Sequence, residues 1–155
     1  MAGDIDARLA ELGIELPQAP APAAHYVPFV VTGNLVFVAG QVTVWNGEVR
    51  FKGRLGEDMD VDEGYRAARL CGLNLIAQAK EAAGGDLDRI KRVVKLGGFV
   101  NSTADFTDQP KVVNGASDLM AEVFGDLGKH ARFAVGAMSL PLGVAVEVDG
   151  VFEIS

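Results

Sequence analysis

Lys129-His130-Ala131-Arg132-Phe133-Ala134-Val135-Gly136-Ala137-Met138, followed by Leu140-Pro141-Leu142-Gly143 and then Val144-Ala145-Val146-Glu147-Val148-Asp149, is the stretch on which the fold turns. Two runs rich in β-branched and small residues flank a Pro-Gly break, so the pattern predicts strands over 131–138 and 144–154. The turn between them predicts an antiparallel hairpin. Each strand carries a charge amid apolar neighbours, Arg132 in the first and Glu147 in the second. Pairing about the turn would bring the two together. On residue types alone two readings stand: a cross-strand ion pair that satisfies two buried charges, or a charged site.

Working back from this stretch, Pro110 opens a helix whose apolar positions Val112, Val113, Ala116, Leu119, Met120, Val123 and Phe124 keep helical spacing. Gly125 and Gly128 end it. Val93 to Val100 reads as a strand interrupted by Gly97-Gly98 and closed by Asn101-Ser102-Thr103. Asp60 to Ala83 is the clearest helix: Asp60 caps it, Asp62 and Glu63 suit the positive end of the dipole, and Gly84-Gly85 stops it. Small residues dominate its apolar stripe, which lets it lie close on a sheet. Further upstream, Tyr26 to Val31 and Leu35 to Gln41 form a hairpin about Thr32-Gly33-Asn34, with a third, edge-like strand over Glu48 to Lys52. Asp4 to Leu12 is a short helix behind an Asp cap. Pro17 to Pro22 is an extended strap, because proline forbids a helix there. The expected organisation is a helix and Pro/Ala strap over residues 1–24, then one α+β domain over 25–155. Two helices cover one face of a mixed sheet, and the bare opposite face predicts an oligomer.

Composition narrows the function. The 155 residues, 49% of them apolar, suffice for one domain with a real core. The 14 basic and 21 acidic residues give a net charge of −7, and no basic stripe exists to neutralise phosphates, so nucleic acid is not an expected partner. One cysteine excludes a disulfide framework, and two histidines make a multi-histidine metal site unexpected. Met1 to Glu15 lacks the pattern of a secretory signal, and no apolar run reaches about eighteen residues, so the expected location is the cytoplasm, with no membrane partner. No phosphate-binding loop, nucleophile elbow or H-E-x-x-H pair is present. Cys71 reads as a small core residue, His130 as a surface residue, and the acidic run Glu57 to Glu63 as helix capping.

The chain resembles the RidA/YjgF family, the reactive-intermediate imine deaminases, formerly called endoribonuclease L-PSP. The resemblance rests on an ordered set: Gly33-Asn34-Leu35-Val36-Phe37-Val38-Ala39-Gly40-Gln41, Asp105-Phe106, Val113-Asn114, Ala131-Arg132-Phe133-Ala134-Val135, Leu140-Pro141 and Val144-Ala145-Val146-Glu147-Val148. It runs from Tyr26 to the C-terminus, and the first 24 residues make the chain a longer-tailed branch. The resemblance implies a chorismate-mutase-like fold, a homotrimer with a central barrel, and sites at the subunit clefts. It implies hydrolysis of 2-imino acids or their enamine tautomers to 2-keto acids and ammonia, without metal or organic cofactor. It assigns catalysis to Arg132 and Glu147, and substrate binding to Arg132, Tyr26, Asn114 and Ala134. A guanidinium grips a carboxylate with two prongs, and a glutamate holds the attacking water. Ala39 and Ala134 depart from the serine and cysteine frequent in the family. Two other functions follow from the same resemblance: a non-catalytic trimer that binds small carboxylates, and the older ribonuclease reading.

Overall fold

The computed structural model describes residues 3–21 and 24–155, so Pro22, the last proline of the strap, lies outside the described residues. Among the described residues, seven strands and three α-helices follow one another: α1 (Asp4–Glu11), β1 (Phe29–Thr32), β2 (Leu35–Gln41), β3 (Val44–Trp45), β4 (Glu48–Val49), α2 (Val61–Ala82), β5 (Ile90–Asn101), α3 (Gln109–Phe124), β6 (Ala131–Ala137) and β7 (Val146–Ile154). Five strands form one mixed sheet in the order β1-β2-β7-β5-β6, while β3 and β4 form a separate two-stranded ribbon.

Local sequence chemistry accounts for both long helices. Asp60 accepts from the Glu63 amide at 2.8 Å and Glu63 reaches back to the Asp60 amide at 3.4 Å, a reciprocal capping box. α3 begins with Pro110 in its first turn and stops at Gly125, whose φ of 60° suits glycine. The helices cover one face of the sheet, α2 over β2 and β7, α3 over β5 and β6. Leu75, Ile76, Leu96, Val100, Val113, Leu119, Val148 and Phe152 are fully buried between the layers. α2 and α3 touch backbone to backbone at Gly115, where an added methyl would overlap the Tyr65 carbonyl oxygen. Gly115→Ala is expected to cost about 2 kcal/mol, because overpacking against a helix backbone cannot relax through a side chain. A urea melt checks it, and an unchanged midpoint would contradict this packing.

Four expectations are corrected. The strands over 131–138 and 144–154 do not pair with each other, because β5 lies between them, antiparallel to β7 and parallel to β6. The segment from Met138 to Ala145 is too long for a tight hairpin and crosses the end of β5, where the Asn101 amide donates to Ala145 O and the amide of Ser102, just beyond the strand, donates to Ala137 O. β5 is an interior strand, flanked by β7 and β6, and the β5-α3-β6 crossover supplies its parallel neighbour. The third strand is the short β4, paired with β3 outside the main sheet. The first strand begins at Phe29 rather than Tyr26. Asp4 does not cap α1: its own amide and that of Ile5 donate to the Asp88 carboxylate at 3.0 and 2.9 Å, so a distant acid does the capping.

Candidate functional site

The register separates Arg132 from Glu147. Arg132 lies opposite Leu96 on β5 and points to the helix side, whereas Glu147 lies opposite Phe99 and points to the open side. Two strand spacings and three residues of offset put their backbones roughly 14 Å apart. They make no ion pair with each other. The cross-strand ion-pair reading is therefore corrected: the sheet itself stands between the two charges.

Each charge belongs to its own cluster. On the helix side, Arg132 Nη1 donates to Asn114 Oδ1 at 2.8 Å and to Ser117 Oγ at 3.1 Å, both on α3. Gly98 carries no side chain beneath α3, where a methyl would overlap Val113, so the helix sits close enough for these contacts. Ser117 Oγ lies 2.9 Å from His130 Nε2, and His130 Nδ1 lies 2.6 Å from Gly128 O. Ala134, two residues along β6 from Arg132, shares its face and packs partly buried against the core. The half-buried guanidinium meets neutral oxygens only, and among the described residues no carboxylate pairs with it.

On the open side, the irregular register of β2 between Val38 and Gln41 brings Gly40 under Glu147, where an added methyl would overlap Oε2. Gly40 also lines a cavity of about 250 Å³ with Tyr26, Gln41, Gln78 and Leu142. Tyr26 is exposed at its rim. Burial, and then the neighbouring Asp149 carboxylate, raise the Glu147 pKa above the ordinary glutamate value. Burial raises Asp149 as well, offset by the Gly97 amide and Lys95. Such a shift makes Glu147 a stronger base than an exposed carboxylate. Cys71, fully buried, has its thiol pushed well above the ordinary range, first by burial and then by Glu147, which leaves it inert as a nucleophile.

These shifts carry a pH signature. A carboxyl whose folded pKa is raised supplies stability that is complete below its unfolded pKa, about 4, and lost as pH rises through the folded value. Wild type is therefore expected to lose melting temperature relative to Glu147→Gln as pH rises from about 4 toward neutrality. Parallel melting curves for the two proteins across that range would contradict the burial of Glu147.

The arrangement has counterparts in known proteins. A family model described as "YjgF/chorismate mutase-like, putative endoribonuclease" matches residues 6–152. The chain belongs to the YjgF/RidA family. It is 50% identical over 155 residues to Protein TCP17 of Trypanosoma cruzi, covering 99% of this chain and 96% of that protein. Among solved structures of the same fold, Atu1372 from Agrobacterium tumefaciens, of unknown function, superposes with a TM-score of 0.91 at 49% identity, covering 97% of this chain and 92% of that one. A protein from Shewanella oneidensis MR-1 described as a "putative endoribonuclease" gives 0.93 at 37% identity, covering 98% and 100%.

Within this YjgF/RidA chain, then, the residues expected at the site do not gather in one place, and Arg132 and Glu147 lie on opposite faces. Arg132, Asn114 and Ala134 gather on the helix side, Glu147 lies against Gly40 on the open side, and Tyr26 sits in the cavity that Gly40 lines with Gln78 of α2. Sequence reading missed Ser117, His130 and Gly40 as members. The signal for the first two was present: Ser117 follows Asn114 by three residues on one helix face, and His130 precedes Arg132 by two. His130 is no free surface residue, since both ring nitrogens are engaged. Among the described residues, no helix is long and apolar enough to cross a membrane.

Proposed function

We propose that this chain hydrolyses reactive 2-imino acids, or their enamine tautomers, to 2-keto acids and ammonia at a site completed by two copies. The observation that carries the reading is Arg132: a half-buried guanidinium held only by neutral oxygens, with its charge left for an outside anion. Family membership supports it. The separation of Arg132 from Glu147 supports the need for a second copy. So does the open sheet face, where Val30, Phe37, Phe99 and Val135 are exposed. Three copies closing those faces into a barrel set Glu147 and Tyr26 of one against Arg132, Asn114 and Ala134 of the next.

In this reading Arg132 grips the substrate carboxylate and fixes the C=N group beside Glu147. Glu147 takes a proton from water as the water oxygen bonds to the imine carbon, while the C=N π pair moves onto nitrogen, which takes up a proton relayed through Tyr26. Glu147 returns its proton to the carbinolamine nitrogen, ammonia leaves with the C–N bonding pair, and the hydroxyl proton departs through Tyr26 as the C=O forms. Tyr26 and the backbone of Ala134 assist proton movement.

A second reading, a trimer that binds keto acids without turnover, needs Arg132 but not Glu147. The ribonuclease description attached to the family fits poorly with a chain of net charge −7. Imines generated by an amino-acid oxidase and trapped with semicarbazide separate the readings. The chain is expected to suppress semicarbazone formation catalytically. Suppression only in stoichiometric proportion would leave the binding reading.

A further inference from the structure

Arg132 presents five N–H donors, and both protons of Nη1 are already committed, one to Asn114 Oδ1 at 2.8 Å and one to Ser117 Oγ at 3.1 Å. Among the described residues, Nε and Nη2 make no hydrogen bond. The direction of every bond in the chain beyond Ser117 follows from chemistry. Gly128 O only accepts, so His130 Nδ1 carries the proton across their 2.6 Å contact. In the neutral imidazole, Nε2 is then a lone pair. Ser117 therefore donates its hydroxyl proton to His130 over 2.9 Å and offers its own lone pair to Arg132. Each link determines the next, from backbone carbonyl through imidazole and hydroxyl to guanidinium.

We infer that Ser117 and His130 are positioning residues that hold Nη1 of Arg132, so that the Nε/Nη2 edge is the one that receives a ligand carboxylate. The inference deepens the proposed function and rests on Arg132 being the carboxylate anchor. A guanidinium has two two-pronged edges, Nη1/Nη2 and Nε/Nη2, and the first is disabled here because Nη1 has no proton to spare. The clamp is also electrically neutral. A carboxylate in the place of Ser117 would orient the guanidinium equally well but cancel the charge that draws the ligand. His130 acts only through Ser117: without an acceptor at Nε2 the hydroxyl rotates freely and its lone pair is no longer aimed at Arg132.

The test titrates pyruvate and 2-oxobutyrate into full-length wild type, Ser117→Ala, His130→Ala, the double variant, His130→Gln and Arg132→Lys by calorimetry, with a melting curve for each. Ser117→Ala is expected to bind about tenfold more weakly at an unchanged melting temperature, and the double variant no more weakly than Ser117→Ala, because the two residues act in series. His130→Gln, which restores an acceptor for Ser117, is expected to recover most of what His130→Ala loses. In the ligand-free protein, 15N-imidazole spectra are expected to report the Nδ1–H tautomer for His130. Normal affinity in Ser117→Ala alongside weakened binding in Arg132→Lys would overturn the positioning role and leave the anchor standing. Additive losses, losses that track melting temperature, or an Nε2–H tautomer would overturn it too. Wild type that binds neither keto acid would fail the anchor itself, and this inference with it.

Discussion

Glu147→Gln is expected to lower imine hydrolysis by about 10²-fold or more while leaving keto-acid affinity largely intact. The amide keeps the shape of the side chain over Gly40 and loses the basic oxygen. A carboxylate ligand has no attraction to Glu147, so ground-state binding does not depend on it. Stability distinguishes this account from the ion-pair alternative. If Glu147 neutralised Arg132, its loss would orphan a guanidinium in an apolar strand pair and cost several kcal/mol, of order 3–5. The two lie on opposite faces of the sheet, and Arg132 is held instead by Asn114 and Ser117. Burial already disfavours the Glu147 charge, so the variant is expected to melt no earlier than wild type at neutral pH. Turnover and thermal melts on one preparation check both halves. Early melting with normal turnover in the folded fraction would contradict the assignment.

Arg132→Lys is expected to weaken keto-acid binding by about 1.5–3 kcal/mol, the range for charge-assisted hydrogen bonds. An ammonium preserves the charge but not the planar fork, and it cannot bond Asn114 and Ser117 with one nitrogen while offering two parallel donors to a ligand. Hydrolysis should fall at least as far, since the same grip orients the imine carbon. Calorimetry with 2-oxobutyrate measures the loss. Equal affinity in the variant would return the arginine to a structural role.

Much of the fold was legible because its signals are local. Asp60 and Glu63 announced the start of α2, Pro110 that of α3, and the run Leu35–Gln41 after Gly33-Asn34 announced β2. The pairing of β1 with β2 was legible from the turn at Thr32-Gly33-Asn34, but the partners of β5, β6 and β7 were not, because such pairing is a long-range choice that turn chemistry does not encode. The Pro-Gly break at 141–143 looked like a hairpin turn, yet the strands it links flank β5. The glycines of β5 held the missed clue. Gly98 makes room for Val113 of α3, and Gly97 makes room for Phe133 and Asp149 from the strands on either side, which marks β5 as an interior strand. The site was legible as a set of residues only through family likeness. Its division between two faces was not, since a one-dimensional spacing cannot say which side of a sheet a charge occupies until the register is known.

The central claim is that Arg132 of one copy and Glu147 of another form one site, and mixing two inactive variants tests it most directly. Arg132→Lys retains a good Glu147, and Glu147→Gln retains a good Arg132. When equal amounts are unfolded together and refolded, every mixed cyclic trimer rebuilds one wild-type site from the two intact halves. Random assembly then restores about a quarter of wild-type turnover, whereas each variant alone stays near background. Activity in the mixture no higher than the mean of the two separate variants would contradict a site shared between copies.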